Sequence, residues 1–570
     1  MDLQALRHST SHIMADAVKK LYPNAKLGIG PAIADGFYYD FDMDQPLNPE
    51  DLPKIEQEMK KIIKGNAEFI CHEVPKKEAI SLFNKLGEPY KVELIDRVKG
   101  GKVSLYRHGN FVDLCKGPHV HSAGEIKVFK LLSVAGAYWH GIETNPMLTR
   151  IYGTAFDKKE DLDKFLKREE EAKKRDHRVL GKKLDLFSFN PEIGAGLVLY
   201  HPKGALLRTI IEDYIKKAHL KRGYQLVISP HISKSDIWIQ SGHYDYYKEN
   251  MYIFKIEDKE YVVKPMNCPG HILVYKSHKR SYRDLPFRLF ELGSVYRHEK
   301  SGVLHGLLRV RGFTQDDAHI FCLKEQIEPE IINVINFAEN TLKVFGFNEY
   351  SVELSTRPKK SIGTDEEWKE ATTALKNALK KRKIPYETNE GEGAFYGPKI
   401  DIKLKDALGR EWQCATIQCD FALPERFSLS YTDKDGKNRK PVMIHRVILG
   451  SIERFIGALI EHHGGNFPLW LAPVQVYIIP ITSKQNTYAE MIRSFLAERN
   501  IRVEVDARGE KMQKKIRDRE MEKVPFLVIV GEKEVKGKML SVRSKTKGTL
   551  GVMQMEKFAE MIIRETAKEG

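Results

Sequence analysis

The chain has 570 residues, 93 Lys+Arg against 78 Asp+Glu, a net charge of +15, and 42% hydrophobic and 30% charged residues. At ~150 residues per domain its length suggests about four domains, and the composition excludes wholesale disorder. No apolar run nears the ~18 residues of a membrane helix, and six cysteines are too few for a disulfide scaffold. The opening residues have neither the basic nor the apolar region of a secretory signal, so a reducing cytoplasm and no membrane are expected. The basic excess suits equally a polyanionic partner such as nucleic acid and a simply basic soluble enzyme.

In chain order, residues 1–155 read as mixed α/β. An amphipathic helix with Leu6, Ile13, Ala17, Val18 and Leu21 near one face opens the chain and ends by Gly28-Ile29-Gly30-Pro31. Phe37–Phe41 reads as a strand. Residues 156–183 read as a solvated linker helix: 157–183 carry 11 basic and 8 acidic residues, with acid-first i,i+4 pairs such as Glu171/Arg175. In 184–472, strands are expected at Phe287–Leu292, Leu307–Phe313, around Ile400–Leu404 and at Gln413–Phe421. Without regular βαβ alternation, these suggest a mostly antiparallel sheet with flanking helices. Residues 473–570 alternate strands (Val474–Pro480, Val503–Val505, Phe526–Val530) with helices (Thr487–Arg499, Lys511–Glu522, Lys557–Glu565), a small α/β domain. The fold class is thus α+β multidomain.

Three groups of residues could carry chemistry. Arg297 and Glu299, two apart, are expected to share a strand face, a fork and a carboxylate suited to a phosphate and a nucleobase amine; on pattern alone a surface ion pair is the plainer reading. Cys268 and His271 have local metal spacing. His8 and His12 share a helix face at i,i+4, while Cys115 and His119 flank Gly117-Pro118 on a loop. These four could bind zinc or line a core. The H-E-x-x-H pattern of a zinc protease is absent, since Ser9 follows His8.

The surrounding strings decide among these readings. Arg297-His298-Glu299, Arg309 and Arg311–His319 resemble motif 2 of the class II aminoacyl-tRNA synthetases; Gly223–Pro230 resembles motif 1 and Gly450–Arg454 motif 3. Ser241-Gly242-His243-Tyr244, Met266–His271, Phe395–Lys399 and Gln413–Gln418 resemble the threonyl-tRNA synthetases, and the resemblance spans nearly the whole chain. It implies an editing domain at 1–155, a class II catalytic domain at 184–472 and an anticodon-binding domain at 473–570. It also implies activation of threonine with ATP and Mg²⁺, transfer to tRNA(Thr), removal of serine from mischarged tRNA, and a homodimer.

By the same resemblance, Arg297 meets the α-phosphate of ATP and Glu299 the adenine amine. Arg309 and Arg454 grip the terminal phosphates, and Lys399, Gln413 and Ser451 complete the site. Cys268, His319 and His445, 51 and 126 residues apart, bind one Zn²⁺ that takes the amino and hydroxyl groups of threonine. His8, His12, Lys91, Asp113, Cys115 and His119 form the editing site, read as metal-free. Glu534 and Arg543 read anticodon bases, and Lys511, Lys514, Lys515 and Arg517 are phosphate contacts. Two departures stand out. The further small domain that many members carry ahead of the editing domain is expected to be absent, and Gly509 stands where the family often has asparagine. A prolyl enzyme of the same subgroup would lack the Cys268/His319/His445 set and the His8/His12 domain. A non-catalytic tRNA-binding relative would be expected to lose the ATP arginines.

Overall fold

The computed structural model describes residues 2–142 and 144–569. The chain divides into two compact units, Met1–Glu170 and Glu171–Gly570.

The first unit opens with helix Leu3–Leu21, capped by the Asp2 side chain, which accepts the Gln4 N–H. Leu6, Ile13, Ala17 and Val18 are buried as their spacing requires. Burial also reaches the polar side: Ser9, Thr10 and Ser11 are closed off, their hydroxyls donating to the carbonyls of Ala5, Leu6 and His8. This helix packs on an antiparallel sheet ordered Lys26–Leu27, Gly36–Asp42, Met147–Phe156, Val128–Tyr138, with Ala32–Ile33 pairing Gly36–Asp42. A second antiparallel sheet, Ile70–Pro75, Lys102–His108 and Phe111–Leu114, carries helices Lys76–Lys85 and Pro89–Arg97. The charged segment forms two helices where one was expected, Lys159–Arg175 and His177–Lys183. Asp176 breaks the run by turning its carboxylate onto the Arg178 N–H, 2.7 Å away, and starting a new helix.

The second unit is built on an eight-stranded sheet. Its order is Gln225–Leu226, Phe287–Tyr296, Gly312–Cys322, Val442–Val447, Glu411–Asp420, Lys399–Lys405, Tyr350–Ser355, Glu387–Asn389. Interior pairs are antiparallel and only the two edge pairs are parallel. Helices Ile327–Val344, Asp365–Lys381 and Ile452–His463 bury their apolar stripes in its core. The expected strand Leu307–Phe313 is not one. Residues 306–308 form a turn, with φ +48° at Gly306, and the strand starts only at Gly312. Leu307 is buried by the turn, so its apolar character served the core and not a ladder.

The same unit holds a five-stranded sheet ordered Val503–Val505, Val476–Pro480, Phe526–Val530, Leu540–Ser544, Gly548–Met553, with the first three parallel. Its last two strands escaped sequence reading because Ser541, Arg543 and two glycines interrupt their apolar pattern. Among the described residues no helix is long and apolar enough to cross a membrane.

Two candidate active sites

The first site lies on the eight-stranded sheet. His319 and His445 are direct cross-strand partners, and Cys268 begins helix Cys268–Lys276. The register cancels the 126 residues between the two histidines. The three ligand-type atoms lie within 4.8 Å of one another, and all three residues are buried. Each histidine has a support. His445 Nε2 lies 2.8 Å from Asp420 Oδ2, and His319 Nδ1 lies 2.8 Å from His271 Nδ1. His271 in turn reaches Glu291, 3.1 Å away, so it backs the group and is not part of it. These bonds leave Nε2 of His319 and Nδ1 of His445 for a metal. Burial holds His319 well below its usual range, hence neutral as a ligand must be. Burial, then Asp317 and Asp420, push the Cys268 thiol up. Nearby carboxylates that oppose a bare thiolate favour a divalent cation, so the donor set fits zinc.

The same cavity, of about 640 Å³, is lined by Arg297, Lys399, Gln413, Ser451 and Arg454. Arg454 is half-buried at the start of helix Ile452–His463, and its Nε donates to the Leu308 carbonyl at 3.2 Å. Burial, then Arg297 and Arg309, lower its pKa. Like charges held this close suit an anion. Lys399 and Gln413 sit on adjacent strands and both bond Asp401, at 2.6 and 2.7 Å. The Ser451 hydroxyl accepts the Arg454 N–H and donates to Glu453. Glu299 and Arg309 pair with each other at 2.9 Å. The strand ends at Tyr296, so Arg297 and Glu299 share a tight turn, Glu299 N–H to Arg297 C=O at 2.8 Å, and not the expected strand face.

Sequence reading gave no separate role to five residues that line or brace this cavity. Asp317 accepts from Asn267, and the Tyr396 hydroxyl donates to Gln418. Asp316 accepts the N–H groups of Ile448, Leu449 and Gly450 and so fixes the turn before Ser451. A buried carboxylate inside an apolar strand was the available signal for Asp316.

The second site is in the first unit. His8 and His12 project from the opening helix, and His119 stacks on His8 with centroids 4.4 Å apart. Cys115 Sγ lies 3.2 Å from Nε2 of both His8 and His119. Across the pocket Lys91 is paired with Asp113 at 2.5 Å. Tyr39, which sequence reading missed, joins them: it donates to Asp113 and accepts from Lys91 at 2.9 Å. Its signal was the strand period, which puts Tyr39 on the buried face with Phe37 and Phe41, where a hydroxyl must find a partner. A cavity of about 560 Å³ is lined by His8, His12, Lys91, Asp113 and Cys115. Burial lowers the pKa of His8, His12 and His119, and raises the Cys115 thiol to about 11. The pocket therefore offers neutral imidazoles and a protonated thiol beside a buried ammonium.

In the C-terminal sheet region Glu534 accepts the Gly531 N–H at 2.9 Å, and Arg543 pairs with Glu520 at 2.9 Å. Lys511, Lys514 and Arg517 are exposed, and open space surrounds Gly509. Lys515 does not fit its expected phosphate role: it is buried, its ammonium bound to the Pro480 carbonyl, because it falls on the inner face of its helix.

Three family descriptions match: the class II tRNA synthetase core domain (G, H, P, S and T) over residues 252–463, an anticodon binding domain over 475–565, and the threonyl and alanyl tRNA synthetase second additional domain over 103–152. The chain is 58% identical to a threonine–tRNA ligase of Citrifermentans bemidjiense over 563 residues, 99% of this chain and 88% of that one. It is 57% identical to the threonine–tRNA ligase of Oleidesulfovibrio alaskensis, over 98% and 87% of the two chains. Among solved structures, the RNA binding domain of threonyl-tRNA synthetase from Cryptosporidium parvum matches with a TM-score of 0.66 at 43% identity, covering 68% of this chain and 98% of that one. The chain belongs to the threonine–tRNA ligases, class II aminoacyl-tRNA synthetases with editing-type and anticodon-binding domains.

Proposed function

We propose that this chain activates threonine with ATP, transfers it to tRNA(Thr), and hydrolyses seryl-tRNA(Thr) in a separate pocket. The observation that carries the reading is one cavity holding both the Cys268/His319/His445 set and the Arg297 and Arg454 charge, with Arg309 close enough to act on Arg454. In the first step the threonine carboxylate attacks the α-phosphate and pyrophosphate leaves. Arg297 steadies the α-phosphate, and Arg309 and Arg454 hold the departing phosphates as charge develops, to which Mg²⁺ arriving with ATP would add counter-charge. Lys399 and Gln413 face the forming adenylate, and Glu299 takes the adenine amine. Cys268, His319 and His445 would hold one Zn²⁺, which when bound supplies a Lewis-acid seat for the amino and hydroxyl groups of threonine. Valine lacks that hydroxyl, and sites built around such a group reject the analogue by about 10⁴-fold or more.

Serine keeps the hydroxyl and lacks one methyl, worth only about 10–200-fold. The second pocket answers this without metal: neutral His8 and His12 position water and take its proton, and Lys91 offsets negative charge on the ester carbonyl. The editing, linker, catalytic and anticodon-binding segments are taken as 1–155, 156–183, 184–472 and 473–570. Glu534 and Arg543 contact anticodon bases. Two copies pair through 223–230, where Leu226 and Ile228 are exposed at 45% and 87%, and the enzyme works in the cytoplasm. The test is ATP–pyrophosphate exchange with each standard amino acid, zinc analysis of the protein, and light scattering. Exchange with threonine, one zinc per chain and a dimer are expected; exchange with no amino acid ends the reading.

A further inference from the structure

One buried histidine outside both pockets is tied to the ATP arginines. His177 follows the capping Asp176 and is fully buried. Its Nδ1 donates to Glu461 Oε1 at 2.6 Å, and its backbone N–H donates to the same oxygen at 3.1 Å. Its Nε2 accepts the Leu307 N–H at 3.0 Å. Asp176, His177 and Glu461 have metal-ligand spacing, but both ring nitrogens are engaged, so the group is a tie. Arg410 holds the other Glu461 oxygen, 2.6 Å away.

The tie closes a ring. Glu461 is in the last turn of helix Ile452–His463, and Arg454 is in its first. The next residue after Leu307, Leu308, gives its carbonyl to Arg454 at 3.2 Å, and Arg309 follows. Both ends of the helix are thus fastened to one turn, by His177 at one end and Arg454 at the other. The contact is built for this fit. Gly306 has φ +48°, and a Cβ there would sit 2.1 Å from His177 Nε2. A Cβ at Gly457, in mid-helix, would meet Leu308 at 3.1 Å and Leu307 at 3.3 Å.

We infer that His177 is a positioning residue for adenylation: through the Leu307 N–H and Glu461 it sets the 306–309 turn against helix Ile452–His463, and so the spacing of Arg309 and Arg454 for the terminal phosphates of ATP. This rests on reading those two arginines as phosphate ligands. A buried histidine that only fills space predicts general destabilisation; a positioning residue predicts a selective loss in the use of ATP.

Pyrophosphate exchange by the full-length enzyme decides, with ATP and threonine varied separately and seryl-tRNA hydrolysis as the folding readout. His177→Ala is expected to raise KM for ATP by about tenfold, since small misplacements of binding groups weigh heavily on reaction rates. KM for threonine and seryl-tRNA hydrolysis stay at wild-type values. His177→Gln, whose amide oxygen reaches the Nε2 position, restores most of the ATP affinity; His177→Asn, which reaches only the Nδ1 position, does not. Wild-type ATP dependence in His177→Ala, or equal losses for ATP and threonine, overturns the proposal. If His177→Ala does not fold, His177→Gln against His177→Asn decides alone, and equal KM values for ATP overturn it. Ordinary ATP dependence in Arg454→Ala would instead overturn the phosphate reading, and the tie's proposed role with it.

Discussion

The two pockets use the same donors, histidine and cysteine, among differently arranged charges. Around Cys268, His319 and His445 the nearby groups include Asp317 and Asp420, and each histidine is backed by a hydrogen bond that turns its other nitrogen inward. Around His8, His12, Cys115 and His119 the nearby charges are the Asp113 carboxylate and the Lys91 ammonium. There the carboxylate of Asp113 is already taken by Lys91 and Tyr39, and the thiol is shared between two imidazoles. Carboxylates favour a cation and a buried ammonium disfavours one. Donor type alone does not make a metal site; the charge behind the donors also sets how well they suit an ion.

The sharpest way to break this contrast is Cys268→Ala. Zinc is expected to be lost and threonine activation to fall by about 10³-fold, since a Lewis-acid seat is worth several kcal/mol and each decade about 1.36. Elemental analysis with pyrophosphate exchange reads both. Stoichiometric zinc in the variant would move the metal to the histidine cluster of the first unit. The converse change, His8→Ala with His12→Ala, should cut hydrolysis of pre-formed seryl-tRNA by about 10²-fold or more and leave threonylation near normal; equal hydrolysis by both proteins would return these histidines to the core.

Arg454→Ala tests the other half of the catalytic cavity. Adenylation should drop by about 10²-fold, while tRNA affinity in a filter-binding assay holds, because that affinity comes from basic surface elsewhere. Normal exchange would remove Arg454 from the phosphates.

The smallest effect is on stability. Burial lowers the pKa of His8, His12 and His119 in one unit, and takes His243 to about 3 and His463 to about 4 in the other. The unfolded chain takes up these protons near pH 6.5 and the folded chain does not, so stability is complete above ~6.5 and declines as pH falls towards the folded values. Melting temperature should be level from pH 8 to 7 and fall between 6.5 and 5. The decline should be shallower in the His8/His12 double variant; identical slopes would mean that the cluster does not carry it.

Patterns of period and composition made much of the fold legible. The opening helix and the strands at 287–292, 400–404 and 413–421 follow from apolar spacing, and the charged run at 157–183 marked a connection. Misses came where a local pattern served a non-local end. Leu307 and Leu308 look like strand residues but pack a turn against a helix glycine. Lys515 looks like a surface base but donates to a carbonyl inside.

The sequence by itself determined the family, because motif strings such as Arg297-His298-Glu299 and Met266–His271 are specific combinations that survive any folding detail. It also determined the composition of each site. Only the tertiary structure decided what those residues do together. Antiparallel register set His319 beside His445 across 126 residues, and burial lowered the pKa of His319. A tyrosine from one strand closed the Lys91–Asp113 pair, and a histidine next to a helix cap was drawn under the 306–309 turn. These are long-range contacts in a low-dielectric interior, where neighbours distant in sequence fix charge and position.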